Sequence, residues 1–280
     1  MDVLISQMKQ DVNKIAHIKT PAEIAKMREA GRISAEILDA LDEYVKPGVT
    51  TRQLDKIAND LVVKTHHAEI DRADLEGHVF SSEQAVFFSL NNVIARGECS
   101  DVPLKKGDIL GVDLSIRKDD YCGDTQKMWI VGGDTSSLAR RLLSVAYQAM
   151  WVGVNHVKAG VHLGTIAHAV QTYVEGEGFS MVKFPGLTGH TIGKVHCEGL
   201  FLPFYGEPNT GHILQEGMVI TIEPFICAGS GEAKLLPNII RTAVTKDNSL
   251  AAYWEHVVAV TKTGCEILDL RAGESEHPVT

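Results

Sequence analysis

Residues 106–113 read KGDILGVD, and residues 216–223 read EGMVITIE. Each segment is a charged residue, a glycine, five mostly apolar residues and then a carboxylate. Short apolar runs of this kind, opened by a glycine, read as buried strands. Asp113 and Glu223 therefore end equivalent strands of two related half-units. A carboxylate on such a strand is expensive to bury unless it is paired or binds a metal. The positions that expose the repeat are thus also the first candidates for chemistry.

The repeat extends outward. VKPGVTTRQLDKIANDLVV (45–63) matches VKAGVHLGTIAHAVQTYVE (157–175) at its break and along its apolar face. Chance similarity between amphipathic helices would account for that match alone. The strand match at nearly the same offset favours a true duplication. Upstream, Thr20, Pro21 and Glu23 form a helix start with a capping box, and apolar positions Ile24, Met27, Ala30, Ile33, Ile37 and Leu41 carry the helix to about Val45. Pro47-Gly48 breaks it, and Thr50 with Gln53 caps a second helix reaching about Lys64. The stretch 107–116 reads as a strand, Lys118-Asp119-Asp120 as a turn, and 121–131 as the returning strand of a hairpin. The plan then restarts, with helices over about 136–157 and 163–177 and strands over 218–224, 238–244 and 252–261. The predicted class is α+β: two pseudo-symmetric αα–β–hairpin halves, with helices covering a strongly bent antiparallel sheet. Residues 1–19 read as an extension, 20–272 as one domain and 273–280 as a tail.

With 280 residues the chain can bury a sizeable core. Its formal charge of −9 argues against a nucleic-acid partner, since non-specific binders need a basic face. Cys99, Cys122, Cys197, Cys227 and Cys265 are odd in number and scattered, without a C-x-x-C pair, against both a disulfide framework and a cysteine zinc site. The N-terminal stretch lacks a signal-peptide pattern, and no apolar run approaches the roughly 20 residues of a membrane helix. A cytoplasmic protein with no membrane partner is expected.

Folding the hairpin about residues 118–120 brings Asp113 and Asp124 together on adjacent strands. Glu223 follows M-V-I-T-I, and Glu255 sits in A-A-Y-W-E-H-V-V-A-V, so each half contributes two carboxylates in strand contexts. Any one of them alone reads as a turn or solvated residue. Four clustered anions would repel one another and raise their own pKa values, a conflict that two divalent cations would resolve. G-H-T-I-G at 189–193 offers His190 as an imidazole ligand, although a lone histidine is more often structural. Mostly oxygen ligands with one nitrogen favour Co²⁺, Mn²⁺, Fe²⁺ or Zn²⁺ in a catalytic pair.

KTPAEIAKMREAGRISAEIL, YVKPGVTTRQLD, GDILGVDLSI, CGDTQKMWIVGG, GHTIGKVH, GMVITIEP and YWEHVVAVTKTGCEIL together resemble the type I methionine aminopeptidases, of the pita-bread (creatinase/aminopeptidase) metallopeptidase superfamily, over about residues 18–272. The resemblance implies that Asp113, Asp124, His190, Glu223 and Glu255 hold two metal ions. It implies that Glu223 also handles the nucleophile's proton, and that His196 contacts the scissile carbonyl and helps stabilise the oxyanion. The implied reaction removes an N-terminal residue, methionine in the family, from peptides or nascent proteins by metal-activated hydroxide. The expected protein is a monomer. Three departures stand out. Arg96 occupies the place of a histidine that contacts substrate near the metals, the His190–His196 spacing is one residue shorter than is typical, and the methionine-pocket lining is not matched.

Arginine stays charged and can grip a carboxylate bidentately. If Arg96 faces the site, a dipeptide or another small acidic amide becomes an alternative substrate; if it points outward, it meets only a surface partner. A non-catalytic binding protein on the same fold is a further alternative, set against the retention of all five candidate ligands.

Overall fold

The computed structural model describes residues 17–72, 83–237 and 241–275. In the first half, α1 (Pro21–Ala40) and α2 (Thr51–Asp60) precede β1 (Glu69–Ile70), β2 (Phe87–Leu90), β3 (Val93–Ala95), β4 (Ile109–Lys118) and β5 (Tyr121–Ile130). The second half opens with α3 (Ser137–Asn155) and α4 (Leu163–Gly176), then β6 (Ser180–Met181), β7 (Gly189–His190), β8 (Phe201–Leu202) and β9 (Val219–Ile222). It closes with β10 (Ile226–Cys227), β11 (Ala233–Leu235), β12 (Ala243–Thr245), β13 (Ala251–Ala252), β14 (His256–Val260) and β15 (Cys265–Ile267).

Both predicted capping boxes are present: Thr20 with Glu23 starts α1, and Thr50 with Gln53 starts α2. α1 stops earlier than its apolar spacing predicts. A 3₁₀ turn over Leu41–Glu43 follows, and the amides of Tyr44 and Val45 both bond to Leu41 O, at 2.9 and 3.1 Å. Pro47, two residues on, cannot continue a helix. The hairpin forms as expected, with Asp119 and Asp120 at positive φ (48° and 71°) in the turn. The predicted strand over 252–261 divides into β13, which pairs with β10, and β14, which pairs with β9 and β15; between them Tyr253 and Glu255 line a cavity. Of the run 238–244, residues 238–240 lie outside the described residues and β12 begins at Ala243.

Among the described residues the strand pairings are all antiparallel. β4 pairs with β5 along one edge and with β1 and β2 along the other. β14 lies between β9 and β15, and an isolated bridge from Gln126 to Glu255 joins β5 to the start of this second sheet. A further bridge, Thr191 to Ile220, attaches the β7–β8 pair beside β9. α1 packs on β4 and β5, as α3 packs on β9, β10 and β13. Each half has its own core: Ile37, Leu54, Val112 and Leu114 in the first, Trp151, Ile166, Ile220 and Val258 in the second.

The repeat read from sequence recurs in the hydrogen bonding. Gly48 N donates to Leu104 O and Leu104 N to Val49 O, both at 2.8 Å; Gly160 N donates to Leu214 O and Leu214 N to Val161 O, again at 2.8 Å. Gly107 and Gly217, the glycines of the two quoted segments, turn the chain into β4 and β9 with φ of 94° and 87°. Left-handed backbone costs an L-residue roughly 1–2 kcal/mol, so glycine is favoured at both. Surroundings separate them. A Cβ on Gly217 would lie 2.8 Å from Ile18 Cγ2 and 2.9 Å from Lys19 O, whereas on Gly107 its nearest neighbour would be Asp134 O at 3.6 Å. Gly107→Ala is therefore expected to cost about 1 kcal/mol and Gly217→Ala at least twice that. Urea unfolding of both variants checks the order; equal costs would contradict it.

Candidate active site

The register of the β4–β5 hairpin places Asp113 opposite Gln126 and Ser115 opposite Asp124. Opposed residues share a face and alternate residues return to it, so these four side chains project together. Ser115 Oγ donates to Asp124 Oδ1 at 2.7 Å. Gly123, the neighbour of Asp124, lies against α1 so closely that a Cβ there would be 2.5 Å from Ala30 C. The helix thus presses the acidic segment into place.

In the second half, His256 stands opposite Ile222 on the β9–β14 ladder, which makes Glu255 and Glu223 the next residues in line. Glu255 is simultaneously bridged to Gln126. Gln126 therefore holds, in the first half, the register position that Glu255 holds in the second. Asp124 stands two residues further along β5, and it breaks the symmetry. Glu223 accepts from Thr221 Oγ1 at 2.7 Å, and the same hydroxyl accepts from His190 N at 2.9 Å. Tyr253 OH donates to Asp113 Oδ2 at 2.8 Å.

All seven residues singled out in the sequence line one cavity of about 50 Å³: Arg96, Asp113, Asp124, His190, His196, Glu223 and Glu255. His190 Nε2 lies 3.7 Å from Glu223 Oε1 and 3.9 Å from Asp124 Oδ2. His196 Nδ1 lies 3.5 Å from Asp124 Oδ2, and its ring centroid is 4.7 Å from that of His190. Arg96 holds a left-handed backbone (φ 56°), with its carbonyl accepting from Thr242 Oγ1 at 2.7 Å. The inward alternative for Arg96 is the one realised, because it shares the cavity wall with the carboxylates.

Burial dominates the electrostatics. It pushes Asp113 up to about 7, with the charge of Asp124 adding to the effect, and pushes Asp124 to about 7 against the bond from Ser115. Glu223 and Glu255 are driven well above the ordinary carboxylate range by burial and then by Asp124. Burial and the neighbouring His196 hold His190 well below its usual pKa, so its imidazole is neutral and able to act as a ligand. Two carboxylates this close repel by roughly 3–4 kcal/mol at an effective dielectric near 20. A divalent cation is the natural relief, and the donors fit one. Ligand atoms of Asp113, Asp124 and Glu255 lie within 4.8 Å of one another, as do those of Asp124, His190 and His196. Asp124 belongs to both groups, and Glu255 Oε1 is buried without a hydrogen-bond partner among the described residues.

The hydroxyls that orient the acids are not among the residues singled out from the sequence. Ser115 follows Asp113 by two, Thr221 precedes Glu223 by two, and Tyr253 precedes Glu255 by two. The two-residue strand period that marks a shared face was the available signal.

The signature of metallopeptidase family M24 matches residues 25–262. The methionine aminopeptidase of Salmonella typhimurium is 42% identical over 92% of this chain and 95% of its own. That of Escherichia coli K12 is 40% identical over the same shares. The crystal structure of methionine aminopeptidase from Rickettsia prowazekii superposes with a TM-score of 0.85 at 37% identity, over 91% of this chain and 100% of the other. The pita-bread fold is thereby shown.

The raised pKa values carry a signed prediction. Asp113 and Asp124 hold protons in the folded state up to about pH 7, against an ordinary carboxyl value of 3.8. Their contribution to stability is full below about pH 4 and is lost as pH rises through 7. The melting temperature of chelator-treated protein should therefore fall between pH 5 and 8, and Asp113→Asn should flatten that slope. A melting temperature that rises over this interval in the wild type, or a slope untouched by the substitution, would contradict the electrostatic account.

Proposed function

Because the chain belongs to metallopeptidase family M24, we propose that it removes N-terminal methionine from peptides and nascent proteins in the cytoplasm, using two divalent metal ions held by Asp113, Asp124, His190, Glu223 and Glu255. The observation that carries this reading is the meeting of those side chains, from both halves, in one small buried cavity. The similarity to methionine aminopeptidases across nearly the whole chain supports the substrate class. Co²⁺, Mn²⁺, Fe²⁺ and Zn²⁺ all suit this donor set.

Bound metals would polarise the scissile carbonyl and make the attacking water more acidic. The chain's own residues do the rest. Glu223, with its raised proton affinity, accepts the proton of the attacking water and returns it to the departing amine. His196, beside Asp124, donates to the oxygen of the scissile carbonyl as negative charge develops there. Asp113 is fixed by Tyr253 and Asp124 by Ser115, so neither has to reorganise during the reaction.

Arg96 on the cavity wall favours a second reading, in which a short substrate's own carboxylate is recognised. A methionyl dipeptide and its C-terminal amide separate the two. Recognition predicts a preference for the free acid that Arg96→His abolishes; an equal rate on both leaves peptides and nascent chains as the substrates.

The main test is release of methionine from short peptides. Chelation should abolish it, and one of the four metals should restore it. Glu223→Gln is expected to lower kcat by about 10²–10⁴, and His196→Ala by about 10²–10³. Metal-loaded protein that releases no N-terminal residue from any member of a peptide library would refute the proposal.

A further inference from the structure

One joint between the two halves lies at the chemical centre of the molecule. The halves are joined by β3–β12 pairing and also by the bridge between Gln126 and Glu255, where Glu255 N reaches Gln126 O at 3.4 Å, long for a backbone hydrogen bond. What reinforces this joint comes from the C-terminal segment. Arg271, 4% exposed, donates through Nη1 to Gln126 O at 2.9 Å and to Glu255 O at 3.1 Å. The same Nη1 lies 3.0 Å from Thr125 Oγ1, and that hydroxyl bonds to Glu255 O at 3.1 Å. One guanidinium group thus grips both strands where they touch.

The flanks of Glu255 are fixed by the same segment. The Arg271 guanidinium lies 5.2 Å from the ring of Trp254, and its Nη2 is 3.0 Å from His256 Nε2. Asp269 Oδ1 lies 3.0 Å from His256 Nδ1 and accepts from Val257 N at 3.1 Å. Glu274 Oε1 meets Arg271 Nε and Nη2 at 3.3 and 3.2 Å. If Arg271 only anchored the chain end, Glu274 and Trp254 would suffice for it. Its bonds to the carbonyls of Gln126 and Glu255 do something else: they set the distance between the two strands that carry Asp124 and Glu255.

We propose that Arg271 is a positioning residue that holds Glu255 within reach of the same metal pair as Asp113 and Asp124 by clasping the backbones of the two halves. The inference rests on the metal-site reading above. Geometry matters more than charge here, because Nη1 meets both carbonyls while Nε and Nη2 meet the Glu274 carboxylate, a spread that the single nitrogen of a lysine ammonium does not cover.

The test is Mn²⁺ titration of metal-free full-length protein by calorimetry, with electron paramagnetic resonance to detect spin coupling between paired ions. Wild type should bind two ions and give a coupled spectrum. Arg271→Met and Arg271→Lys should each weaken the second ion by about 10–100-fold and lose the coupling, at unchanged secondary structure by circular dichroism. Glu274→Gln leaves Arg271 in place but removes a brace, so it should shift affinity the same way by less, and it serves if the Arg271 variants fail to fold. A coupled pair bound with wild-type affinity in these variants, whatever happens to their melting temperature, would overturn the clasp while leaving the metal site intact. A wild type that binds no Mn²⁺ pair would overturn the metal reading and the clasp together.

Discussion

Four carboxylates packed into a cavity of about 50 Å³ are the constraint around which the chain is built. Burial leaves their mutual repulsion poorly screened, and their proton affinities climb. Such a cluster persists only because the surrounding fold leaves the side chains nowhere else to go. Its latent negative charge is what gives a divalent cation a reason to bind.

Duplication is how the chain assembles that cluster. Each half delivers a glycine-led strand ending near the centre, and each caps it with a helix packed on the opposite face. The symmetry is not complete. Register pairs Glu255 with Gln126, while Asp124 has moved two positions along β5, toward Ser115 and His196. A strictly symmetric pair of halves would place an acid at both matching positions, whereas Gln126 is the residue opposite Asp113. The departure leaves Asp124 within reach of both the carboxylates of Asp113 and Glu255 and the imidazoles of His190 and His196.

Rigidity arrives from outside the cluster. Ser115, Thr221 and Tyr253 each bond one carboxylate. The segment from Asp269 to Glu274 reaches back over the junction, where Arg271 joins the two strands. Burial of Glu274 would raise its pKa, but bonds from His256 and the charge of Arg271 pull it down to about 2. Glu274 therefore meets Arg271 as a carboxylate. Arg96 contributes a fixed positive charge at the cavity wall, where it counters Asp113 and Glu223.

Much of this was legible in the linear sequence, because strand and helix periods, caps and turn residues are local properties. The repeat, the hairpin carrying Asp113 and Asp124, and the five candidate ligands could all be read from runs of ten to twenty residues. Contacts between distant segments could not. No local pattern reveals that Gln126 meets Glu255, that Arg96 turns inward from a left-handed backbone, or that Arg271 clasps both halves. Sequence by itself determined which groups could carry charge and which face of each strand they occupy. Tertiary structure alone decided how closely they approach, since long-range register and a poorly screened interior, rather than residue type, set both the distances and the proton affinities.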